Sequence, residues 1–109
     1  MKYYKIIKKL RRNIMKILAI DTSSKICSCA LLEDEDLIDE INLDDGRTHS
    51  ENLLPIMSEL LERNKIDLKE IDLISCCVGP GSFTGTRISI TVAKVYGYSF
   101  NIPYNVGEL

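Results

Sequence analysis

Asp21-Thr22-Ser23-Ser24 puts one carboxylate and three hydroxyl side chains into a single tight link. A turn of this composition brings backbone N–H and hydroxyl donors to phosphate oxygens, while the Asp orients a hydrated magnesium ion. The same residues also make an ordinary polar hairpin, because Asp and Ser side chains bond their own backbone two residues on. Taken alone, the tetrapeptide favours the hairpin. A second stretch, GPGSFTGTR (79–87), lies between an apolar run and an amphipathic one. Gly79, Gly81 and Gly85 permit positive φ and close approach, Pro80 stiffens the bend, and Ser82 or Thr84 caps the following helix, leaving N–H groups free for an anion. It is not a P-loop, since Thr86 follows Gly85 where that motif needs Lys. A purely structural strand-to-helix turn and an anion-binding loop fit it equally well.

Arg47-Thr48-His49-Ser50-Glu51 is the third cluster. His49 and Glu51 bring metal or acid/base chemistry to mind, yet H-E-x-x-H is missing and His49 is the chain's single histidine. A helix start is the better account, with Thr48 and Glu51 as a T-x-x-E capping box. Neither a Ser-His-Asp nor a Cys-His set can be assembled. Of the four cysteines, Cys27 and Cys29 share one strand face, while Cys76 and Cys77 point to opposite faces. Their spacing is not that of a zinc site. They are read as buried thiols acting as small hydrophobes in a reducing, cytosolic compartment.

The elements that must position these residues follow from hydrophobic period. KILAID (16–21), ICSCALLE (26–33) and LIDEINL (37–43) read as three strands joined by short polar links, an antiparallel meander whose first strand, apolar on both faces, is expected to be buried in the middle of a sheet. Leu53, Leu54, Ile56, Met57, Leu60 and Leu61 recur at helical spacing through roughly residues 49–64. Pro55 falls inside this helix, where it removes one backbone bond. Asp67 and Glu70 mark a second capping signature ahead of the buried strand DLISCCV (72–78). Ile88, Val92 and Val95 predict a further helix over roughly 84–100, closed by Pro103, with a strand starting at Tyr104. The order is βββαβα with the start of a fifth strand, an α/β fold on a mixed sheet. Two helices on one face would leave the opposite face, or the outer helix surfaces, for a partner.

A hydrophobic fraction of 45% with 28% charged residues is that of a globular protein, and 109 residues bound it to one compact unit. No apolar run reaches membrane-spanning length. Formal net charge is −2, but the first fourteen residues hold Lys2, Lys5, Lys8, Lys9, Arg11 and Arg12 and no acid. Residues 15–109 therefore carry 8 basic against 16 acidic residues. Such a body has no broad basic face for nucleic-acid phosphates, so any contact with RNA runs through a partner. The leader, in which Ile6, Ile7, Leu10 and Ile14 fall near one helical face, is expected to be a disordered arm or sequence upstream of a start at Met15.

MKILAIDTSS (15–24), RTHSENLLPIMSELL (47–61) and, most specifically, VGPGSFTGTRISITVAK (78–94) followed by NIP (101–103) resemble the TsaB/YeaZ family in order and spacing. The resemblance covers nearly all of residues 15–109. It implies the amino-terminal lobe of an actin-like ATPase (ASKHA, ribonuclease H-like) fold. It also implies a non-catalytic scaffold for tRNA N6-threonylcarbamoyladenosine modification in the cytoplasm, and no membrane contact. In that setting the chain pairs with a TsaD-type catalytic subunit, a TsaE-type ATPase joins, tRNA is met only through the complex, and a homodimer forms over a similar surface without TsaD. The helix at 49–64 and the one after Gly85 are placed at the interface, through Leu53, Leu54, Met57, Leu61 and Arg87. Asp21, Thr22, Ser23 and Ser24, with Gly79, Gly81, Ser82 and Gly85, become a vestigial phosphate site. ATP and magnesium are expected only in a two-lobed relative, because such sites lie between two lobes. TsaD-like proteins carry a metal-binding histidine pair after the NIP segment. This chain reads Tyr104-Asn105-Val106 there, and Thr86 stands where Leu is more usual. Two other readings stay open: a fragment of an ASKHA kinase or ATPase, tested by Mg-ATP binding, and a glycoprotease-like peptidase, tested by metal content.

Overall fold

The computed structural model describes residues 14–77 and 83–107. Strands β1 (Lys16–Asp21), β2 (Cys27–Glu33) and β3 (Asp36–Leu43) form the expected antiparallel meander. Helix α1 (His49–Arg63) and a 3₁₀ turn (Leu68–Glu70) lead into β4 (Leu73–Cys77), and helix α2 (Phe83–Phe100) leads into β5 (Tyr104–Gly107). The sheet runs β3-β2-β1-β4-β5, with β4 parallel to both β1 and β5. Element order and type thus agree with the sequence, and boundaries differ by a residue or so. Residue 78 of the expected fourth strand lies outside the described residues, as does the leader through residue 13.

Both crossovers travel the same way across the sheet, from β3 to β4 and from β4 to β5. Right-handed connections then place α1 and α2 on one face. Leu18, Ile20, Cys27, Cys29, Leu31, Ile74 and Cys76 point into that face and meet Leu53, Ile56, Met57, Leu60 and Ala93 in one buried cluster. Each large apolar side chain so buried contributes about 1.5–3 kcal/mol. β1 lies in the middle of the sheet, as expected, with Leu18 and Ile20 fully buried and Ile17 and Ala19 on the other face half-buried. Its apolar composition reflects its central place between two strands, not two helical layers.

The helix ends show how local chemistry sets the boundaries. Thr48 is the N-cap of α1, but the expected capping box does not form, because Thr48 Oγ1 donates to Glu51 Oε1 (3.0 Å) instead of accepting from the helix backbone. The box predicted at Asp67 does form: Asp67 Oδ1 accepts from the Lys69 N–H (2.9 Å) and Glu70 Oε2 accepts from the Asp67 N–H (2.8 Å). Pro55 leaves the Glu51 carbonyl without its usual helical donor, and α1 continues through it. At the far end of α1 the Lys65 N–H donates to Glu62 O (3.0 Å) and the Ile66 N–H to Leu61 O (2.9 Å), with Lys65 at φ 55°. This is a Schellman ending made without glycine. Helix α2 stops in a related way, with Asn101 at φ 56° and the Ile102 N–H donating to Gly97 O (3.0 Å).

Candidate functional site

The parallel register pairs Asp21 with Cys77, so the β1–β2 turn and the segment leaving β4 start from the same end of the sheet. In the turn, Asp21 Oδ1 accepts from both the Ser23 N–H (2.9 Å) and the Ser23 hydroxyl (2.6 Å). Thr22 and Ser23 are buried, whereas Ser24 is exposed, its Oγ accepting from the Ile26 N–H (3.2 Å). One Asp21 oxygen is thereby committed to an Asx-type turn. His49, at the start of α1, reaches back and donates from Nε2 to the Ser24 carbonyl (2.5 Å). Asn52 Nδ2 donates to Asp45 Oδ1 (2.8 Å), the oxygen that also accepts from the Arg47 N–H (3.0 Å). The Arg47–Glu51 cluster is therefore a helix start laced to the β1–β2 turn.

Gly79, Gly81 and Ser82 lie outside the described residues. Gly85 falls in the first turn of α2, not in the bend where the sequence had placed it, because the helix begins at Phe83. Burial holds the thiols in their neutral form. Burial first, then the Asp45 and Asp21 charges, pushes Cys27 up to about 11; burial pushes Cys29 to about 12 and Cys76 to about 11. Cys77 is raised too, by burial and by Asp21. None of these is a nucleophile near neutral pH.

A concave surface lies between α1 and α2. Ser50, Leu53, Leu54, Arg87, Ile88, Thr91 and Val92 line a groove of about 360 Å³. Leu54 is 46% exposed on one bank and Arg87 is exposed on the other. Val95 and Tyr98 extend the apolar surface along α2. Of the residues assigned to a partner, Leu54 and Arg87 are at the surface. Leu53, Met57 and Leu61 are corrected: they lie in the chain's own core, Met57 at 1% exposure, because the inner stripe of α1 faces the sheet. Only Leu53 of the three reaches the groove, as its floor.

Sequence reasoning missed two structural groups. Arg63 grips Asp39 through Nε (2.6 Å) and Nη2 (2.7 Å), and Asn64 Nδ2 adds a third bond (2.7 Å), tying the end of α1 to β3. Asp72, fully buried, accepts from the Lys16 N–H through Oδ2 (2.9 Å) and pins the start of β1 beside β4. Only its place at the head of an apolar run hinted at this.

A five-stranded mixed sheet in this order with both helices on one face defines the class, an actin-like ATPase (ASKHA) lobe. A sequence profile described as TsaD: tRNA N6-adenosine threonylcarbamoyltransferase matches residues 43–106. The tRNA threonylcarbamoyladenosine biosynthesis protein TsaB of Buchnera aphidicola (Baizongia pistaciae) is 39% identical over 88 residues, 81% of this chain and 39% of that protein. TsaB of Escherichia coli is 36% identical over 89 residues, 82% of this chain and 38% of that protein. The solved structure of YeaZ from Pseudomonas aeruginosa superposes with a TM-score of 0.77 at 34% identity, over 84% of this chain and 43% of that one. The chain belongs to this family, on its TsaB/YeaZ branch, and spans about two-fifths of the length of these relatives.

Proposed function

We propose that this chain is a non-catalytic partner subunit for tRNA N6-threonylcarbamoyladenosine synthesis, docking a TsaD-type subunit in the groove between α1 and α2. A TsaE-type ATPase joins that assembly, and tRNA is reached only through it. The observation that carries the reading is the groove itself, apolar along Leu54, Ile88 and Val92 with Arg87 at its rim, on a chain whose relatives are named for this biosynthesis. One oxygen of Asp21 is bonded to the Ser23 N–H and hydroxyl, and His49 Nε2 is bonded to the Ser24 carbonyl, so both side chains serve the local fold. Four reduced cysteines suit the cytoplasm. A second copy takes the same groove when TsaD is absent.

Titration calorimetry against a purified TsaD-type protein tests the proposal. Leu54→Asp is expected to weaken binding by about 30-fold, the roughly 2 kcal/mol of a hot-spot contact, while Asp21→Ala leaves it unchanged. Circular dichroism confirms that both variants fold. If the unmodified chain binds no TsaD-type protein, the proposal is wrong. Tight Mg-ATP binding abolished by Asp21→Ala would move the assignment to the nucleotide-binding reading.

A further inference from the structure

Three arginines stand among the described residues, and two of them hold a carboxylate: Arg47 pairs with Asp45 and Arg63 with Asp39. The third, Arg87, is exposed on α2 and belongs to none of the ion pairs among the described residues, which are those two with Lys16–Glu70 and Lys25–Asp44. It lines the α1–α2 groove beside Leu54, Ile88 and Val92. Arg87 and Lys94 are the charged side chains of residues 83–100, a stretch without an acid. Thr91, Val95 and Tyr98 continue the side of the helix on which Arg87 stands, and each is exposed.

The opposite bank does not neutralise this charge. Ser50 lines the groove from the first turn of α1, where the helix dipole is positive. Glu51, Glu59 and Glu62 are the acids of α1; none of them lines the groove, and Glu51 accepts a bond from the Thr48 hydroxyl (3.0 Å). A partner seated in the groove takes water from Leu54, Ile88 and Val92 and, with them, from the Arg87 guanidinium. A cation that loses water and gains no partner opposes binding, so the occupant must bring an anion to this point. A protein carboxylate fits better than RNA phosphate. A phosphate backbone would leave the apolar walls uncovered, and residues 15–109 carry 8 basic against 16 acidic residues. A guanidinium also takes a carboxylate through two parallel bonds, which fixes the angle of approach.

We propose that Arg87 selects and orients the partner in this groove by pairing with an Asp or Glu carboxylate that the partner presents among apolar side chains. This pairing presupposes that a TsaD-type subunit docks between α1 and α2, and it names the group which that subunit must match.

Titration calorimetry of the full 109-residue chain against a purified TsaD-type protein is the test. Arg87→Gln is expected to weaken binding on the order of 30-fold. Arg87→Lys, which keeps the charge but not the fork, should fall between Arg87→Gln and the unmodified chain. Lys69→Gln removes the same charge from the 3₁₀ turn and should stay within about twofold. Thermal unfolding should be alike in all four forms, because Arg87 holds no ion pair among the described residues. Arg87→Glu should regain binding when one Asp or Glu of the TsaD-type protein is changed to Arg, and rescue by no such change overturns the pairing. A loss below about tenfold in Arg87→Gln overturns it too and leaves the docking reading standing. Failure of the unmodified chain to bind overturns both. If the unmodified chain binds bare tRNA and Arg87→Gln does not, phosphate is the ligand and the pairing is again wrong.

Discussion

Asp39 takes three side-chain hydrogen bonds, two from Arg63 and one from Asn64, and they hold its carboxyl well below the usual carboxylate range. A carboxylate with a lowered folded value contributes stability that is fully present above its unfolded value, about 3.9, and lost as pH falls through the folded one. Thermal unfolding of the unmodified chain and Asp39→Asn should therefore differ by a constant amount from pH 7 to about pH 5. The difference should shrink steadily below about pH 4. A difference that stays constant down to pH 2 would show that the ion pair does not set the acid limb. Nothing in the sequence announces this pair, since its members are 24 residues apart on elements of different period. The Asp21–Ser23 turn is the opposite case. Its partners are two residues apart, and the composition already favoured the Asx turn that forms.

At the scale of elements, two positions test whether the helix endings are understood. Lys65 holds a left-handed conformation that costs an L-residue roughly 1–2 kcal/mol. Lys65→Gly should remove this cost, partly offset by the greater unfolded-state freedom of glycine, for a net gain of about 0.5 kcal/mol and a Tm about 2–4 °C higher. Gly97 is the reverse. A Cβ there would sit 2.9 Å from the Ile102 carbonyl oxygen and 3.0 Å from the Tyr104 ring. Alanine is the better helix former by about 1 kcal/mol, but overpacking against backbone costs about 1–3 kcal/mol. Gly97→Ala should thus lose on the order of 1 kcal/mol in chemical denaturation, and a gain would show that the α2–β5 junction yields easily. Strands and helices were legible because period 2 and period 3.6 are written in consecutive residues. The capping box at Thr48 was misread because a T-x-x-E spacing does not say whether Oγ1 turns to the backbone or to the carboxylate.

For the whole molecule, one cluster joins both helices to the sheet, so α1 and α2 should unfold together. Met57→Ala, deleting a side chain at 1% exposure, is expected to cost about 2–4 kcal/mol, a large share of the usual 5–15 kcal/mol. Far-ultraviolet circular dichroism and near-ultraviolet tyrosine signals, which include Tyr96 and Tyr98 on α2, should shift together to lower denaturant. Separate transitions would mean that the helices rest on independent cores.

What the sequence determined by itself was the list of elements, their order, the mixed sheet and the inward faces of Cys27, Cys29 and Cys76, because each is a local pattern of polarity. The tertiary structure alone decided which of those apolar residues remain at a surface. Leu53, Leu54, Met57 and Leu61 look alike in the α1 pattern, yet only Leu54 faces outward, because the side of the helix that meets the sheet depends on how the β3–β4 crossover lays it down. The same crossovers put both helices on one face and leave Ile17, Leu32 and Leu73 half-covered on the other. No local pattern encodes that choice, since it comes from packing elements far apart in the chain.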